Sequence, residues 1–142
     1  MSCAQVAGSL RTTQFEELAG RCELAERDEQ EQLLTEVFEA IKGSVQTRRG
    51  SLVSFHPDWF AFQKMLRALA YESAALTLVP EGWAITLTEW PGQGAEAALL
   101  QTELRDDGKY WRSAGMREVG RCKAVTRALA LCAAALRARS AA

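Results

Sequence analysis

The chain has 142 residues, 48% of them hydrophobic and 25% charged, with a formal net charge of −1. That is one domain's worth of polymer with the ordinary globular balance, which sets aside disordered, collagen-like and coiled-coil classes. The longest uncharged apolar run, residues 128–136, is far shorter than the ~20 residues a membrane span needs, so no membrane association is expected.

In chain order, residues 1–11 are expected to form a flexible tail. Met1–Leu10 lacks the charged and apolar regions of a secretory signal, so a cytoplasmic location is expected. Residues 12–43 read as acidic helices. Thr12 or Thr13 can cap the first, with Glu16 three residues after Thr13, and Phe15, Leu18, Ala19 and Cys22 recur at helical spacing. Asp28 and Glu31 give a second cap signal. Leu33, Leu34, Val37, Phe38 and Ile41 make one apolar stripe, and Gly43 suits the helix end. Residues 44–54 are polar and read as a loop.

Residues 55–142 are expected to hold a helix, a sheet and a closing helix. His56-Pro57-Asp58 starts a helix that carries Trp59, Phe60, Phe62, Met65, Leu66 and Leu69, with a break near Tyr71–Ser73 and a stop at Pro80. Trp83, Ile85 and Leu87 alternate with Ala84, Thr86 and Thr88 as in a strand. Pro91-Gly92-Gln93-Gly94 turns the chain, Glu96–Leu104 supports a second strand, and Asp106-Asp107-Gly108 leads to a short third strand over Lys109–Ser113. Thr126 is the candidate cap of the last helix, where the chain's 24 alanines are most concentrated. The expectation is a single α+β domain over residues 1–142, with a three-stranded antiparallel meander packed against helices.

The small net charge hides an asymmetry. Between Glu16 and Glu39, nine acids stand against Arg21 and Arg27, a net of −7, while between Arg105 and Arg139 nine bases stand against three acids, a net of +6. These poles can be solvated helix faces, or they can meet within the fold, across a homo-oligomer or on a partner. The cysteines (Cys3, Cys22, Cys122, Cys132) have no metal-ligand spacing, and Cys22 and Cys132 fall in apolar helical patterns as small core residues.

Chemistry-bearing motifs are sparse. His56 stands beside proline with no nucleophile motif, Asp106-Asp107 before glycine reads as a turn, and Gly92-x-Gly94 lacks the lysine and hydroxyl of a phosphate loop. No catalytic residue, metal site or cofactor is expected. Two interaction surfaces remain. Phe55, Trp59, Phe60 and Phe62 crowd large aromatics beside the polar loop as candidate anchors for a protein partner, or else they fill the core. Lys109, Tyr110, Trp111, Arg112, Arg117, Arg121 and Lys123 interleave aromatics and bases, the alternative surface for nucleic acid.

Three patches resemble uncharacterised prophage proteins related to the phage ABA-sandwich domain: Arg21-Cys22-Glu23-Leu24-Ala25-Glu26, the run from Tyr71 to Trp83, and the run from Thr126 to Ala138. The sequence departs from that pattern at Arg27-Asp28-Glu29, where a Gly-Pro-acidic turn is usual, and at Arg127, where proline is frequent. The resemblance implies a helix–sheet–helix sandwich and a phage or prophage origin, and it implies no activity. The resulting expectation is a small, non-catalytic phage-encoded interaction protein in the host cytoplasm, with inhibition of a host defence protein as a special case.

Overall fold

The computed structural model describes residues 3–43, 58–106 and 111–141. Within them, five helices flank a three-stranded antiparallel sheet, the expected α+β class. The helices are α1 (Cys3–Leu24), α2 (Gln30–Lys42), α3 (Trp59–Arg67), α4 (Tyr71–Leu76) and α5 (Arg127–Ala141); the strands are β1 (Trp83–Trp90), β2 (Gly94–Asp106) and β3 (Trp111–Ala124). No helix among the described residues is long and apolar enough to cross a membrane. The loop expected over residues 44–54 lies outside the described residues.

Helix α1 begins nine residues before the expected cap at Thr12, so Cys3–Leu10, expected as tail, is helical. Alanine, glutamine and leucine in that stretch propagate a helix readily, and the Thr-x-x-Glu signal falls inside it. The second cap is also displaced. A short 3₁₀ turn, Arg27–Glu29, precedes α2, and the Glu29 carboxylate accepts the backbone N–H of Glu26 at 3.1 Å. The box is therefore Glu26/Glu29 rather than Asp28/Glu31. The far end of α2 follows the sequence: Gly43 has φ +96° and its N–H donates to the Glu39 carbonyl at 2.9 Å.

The strands pair in chain order, β1–β2–β3. Leu87 faces Ala97, and Ala97 faces Cys122, so each row crosses the sheet. The third strand is far longer than the expected Lys109–Ser113. Two register shifts, between Ala97/Leu99 and Thr102/Leu104, interrupt the pairing, and Gly115 and Gly120 interrupt the alternation, so the period of two is lost locally although the strand continues.

One sheet face presents Leu87, Ala95, Ala97, Leu99 and Cys122 to the core. Helix α5 packs there, with α1, α2 and α4 along its other sides. Every residue of α5 from Ala128 to Leu136 is buried. Thr126 caps it as expected: its hydroxyl accepts the Leu129 N–H at 3.2 Å and donates to Gln30 Oε1 at 2.7 Å. Gln30, buried at the start of α2, also donates to the Arg27 carbonyl at 3.1 Å. One side chain thus ties the entries of two helices together.

Candidate interaction surface

The aromatic quartet divides. Phe55 lies outside the described residues. Trp59 and Phe62 are three residues apart on α3 and turn to the same face, where they meet Phe38 of α2 at ring-centroid distances of 5.2 and 4.7 Å. Both are buried, so these two candidate anchors are core residues. Phe60 is rotated about 100° from Trp59 by the helix and is 59% exposed.

The basic surface is only partly visible. Lys109 and Tyr110, with His56 and Asp107, lie outside the described residues. Trp111, Arg112 and Arg117 are placed by backbone pairing opposite Asp106, Arg105 and Gln101. Arg121 is already engaged: it donates to both Glu118 oxygens at 2.6 and 2.8 Å and to Glu96 across the strand. That bond holds the Glu118 carboxyl below the usual carboxylate range. Lys123 is exposed, with Nζ 3.8 Å from Glu96.

The two charge poles do meet. Arg137 of α5 donates to Glu16 at 2.6 Å and to Glu23 of α1, whose carboxylate raises the guanidinium pKa further. Ser140 donates to Glu16 at 2.9 Å. Arg127 bridges Glu72 and Glu89 at 3.2 and 3.0 Å. Arg137 thus joins the basic third to the acidic helices, while Arg121 and Arg127 pair with acids outside them.

The cysteines Cys22, Cys122 and Cys132 are free and buried. Burial pushes the Cys22 thiol up to about 12 and Cys122 to about 11, and raises Cys132 well above the ordinary value. Such thiols stay protonated and are poor nucleophiles.

A further exposed apolar site, outside both surfaces expected from the sequence, lies where β1 ends. Trp90 and Val125, 44% and 43% exposed, line one groove of about 430 Å³. Glu23, Arg27, Glu89 and Lys123 form its charged border. Glu23 and Glu89 are paired inside the molecule with Arg137 and Arg127; Lys123, 3.8 Å from Glu96, projects with its side chain 78% exposed. Leu24, between groove residues Glu23 and Arg27 in the chain, is 88% exposed. The groove floor depends on Gly94: at φ +104°, a Cβ there would stand 2.7 Å from the Ala124 carbonyl oxygen. The signal for Trp90 was in the alternation itself. Ala84, Thr86 and Thr88 take the outer face, and the same period puts Trp90 there.

Comparison with protein-family models, curated proteins and solved structures found no match. The resemblance to prophage proteins therefore rests on the three sequence patches alone.

Proposed function

We propose that this chain is a non-catalytic protein-interaction module whose contact surface centres on the Trp90–Val125 groove. The observation that carries the reading is the exposure of Trp90 beside Val125, on a molecule that already buries Trp59, Phe62 and Phe38 in its own core. Tryptophan in a concave site with a charged border is the composition of an interface hot spot. With the border acids paired internally and Lys123 projecting, the fitting partner offers an apolar anchor fringed by acidic groups. A phage or prophage origin, a cytoplasmic host protein as partner, and inhibition of host defence belong to the same proposal and rest on the sequence resemblance. Among the described residues Phe60, 59% exposed, is the other exposed aromatic.

Nucleic-acid binding through the basic third is the weaker reading, because Arg121 is engaged by Glu96 and Glu118. A bulky aromatic photo-crosslinking residue placed at position 90 in the full chain, which keeps a large ring in the groove, separates the two in lysate of the cell that carries the gene. A discrete protein adduct that survives nuclease, and that excess unlabelled protein abolishes, is expected. Trp90→Ala as competitor should fail to abolish it. No adduct at position 90, or an adduct that nuclease removes, overturns the proposal.

A further inference from the structure

A second cleft, of about 530 Å³, opens between α1, the turn that precedes β1, and the last turns of α5. Phe15, Pro80, Trp83 and Ala138 form apolar walls, and Arg11, Thr12 and Arg139 complete the lining; no carboxylate lines it among the described residues. Four other described arginines, by contrast, are ion-paired. Arg21 sits on Glu36, Arg121 on Glu96 and Glu118, Arg127 on Glu72 and Glu89, and Arg137 on Glu16 and Glu23.

Arg139 is held in place without being satisfied. Its Nη2 donates to the Leu78 carbonyl at 3.0 Å, and its Nε is buried with no acceptor. Arg11 lies over the Phe15 ring, 5.2 Å from its centroid. Burial, and then the charge of Arg11, hold the Arg139 guanidinium below the usual arginine range. Two cations that line one cleft without a carboxylate between them are unfavourable, and a bound oxyanion offsets that repulsion. A volume in the range of small-molecule sites, with aromatic walls, is larger than a lone inorganic ion requires.

We propose that this cleft binds an oxyanion, carboxylate or phosphate, carried on an apolar body about the size of an aromatic side chain. Arg139 and Arg11 hold the oxyanion, and Phe15, Pro80 and Trp83 cover the body. The same chemistry is supplied by a free small acid or by a peptide that ends in an apolar residue with a free carboxylate.

Isothermal titration of the purified full chain tests this. The probes are 3-phenylpropionate, phenyl phosphate, neutral 3-phenylpropanamide, and a short peptide ending in phenylalanine, as free acid and as amide. The anions should bind at least about tenfold more tightly than the neutral forms, and Arg139→Gln or Arg11→Gln should each reduce that binding about tenfold. Arg67→Gln, an exposed arginine on α3 outside the cleft, should leave it unchanged. A peptide acid that binds about tenfold better than the small acids identifies a chain terminus as the ligand, and equal binding identifies the free acid. Equal affinity for amide and acid, no heat up to about 10 mM anion, or anion binding that survives both arginine substitutions overturns the proposal. Should Arg139→Gln fail to fold, Arg11→Gln decides, because Arg11 is exposed.

Discussion

Helix α5 and the Trp90–Val125 groove are opposites in side-chain size and exposure. Along α5, alanines and leucines from Ala128 to Leu136 are all buried, and the sheet meets them with Ala95, Ala97 and Leu99. Small residues let the helix sit close to the sheet and to its neighbouring helices at once, and they carry no titratable group except the protonated thiol of Cys132. At the groove the pattern reverses: a tryptophan, large enough to anchor a core, is left 44% exposed among charges. The centre is built by fit alone. The border carries the side chains that can recognise something else, and for that reason the functional argument is placed there.

The strongest way to break that contrast is Leu129→Ala. Leu129 is fully buried, and its N–H closes the Thr126 cap. Removing its branched end should lower unfolding free energy by about 2–5 kcal/mol in urea titration, because a centre packed on all sides cannot collapse into the gap. Crosslinking from position 90 should persist under conditions where the variant stays folded. A loss below about 1 kcal/mol would mean that α5 is not the packed centre described here.

Gly94→Ala comes next and acts at the border. It forces an alanine into φ +104° and drives its Cβ towards the Ala124 carbonyl. The expected loss is about 1–3 kcal/mol in the same titration, with weaker capture at the groove because the turn beside Trp90 must shift. A variant as stable as the parent would show that β2 relaxes freely at this point, and the groove would then be a pliable surface rather than a preformed one.

Legibility in the sequence followed the range of the interaction. The stripe of α2, Gly43 at its end and Thr126 before α5 are local signals, and the structure bears each of them out. The true length of β3 was hidden, because two glycines and two register shifts erase the period that marks a strand. Helical geometry alone separates Trp59 and Phe62 from Phe60, whereas composition shows only four aromatics close together in the chain. The union of the charge poles was out of reach: Arg137 finds Glu16 and Glu23 across 121 and 114 residues of chain. The Arg11–Arg139 cleft was out of reach for the same reason, since only the fold brings the two ends of the sequence together.

The smallest expected effect is Leu69→Gly. Helix α3 ends with the Ala70 N–H donating to the Met65 carbonyl at 2.8 Å and the Leu69 N–H to Leu66 at 3.1 Å, a terminator that puts Leu69 in the left-handed region at φ +60°. Glycine is the usual occupant, because a Cβ is crowded there. Leu69 is also 70% exposed, so its side chain contributes little burial to offset that strain. Relief of the strain, less the greater chain entropy of glycine in the unfolded state, should raise stability by about 0.5–1 kcal/mol. A loss of stability would mean that the leucine makes contacts its exposure does not suggest. A gain with unchanged capture at position 90 confines the interaction surface to the groove. A gain in stability with weakened capture extends the surface to the end of α3, where an apolar residue is retained against its own backbone.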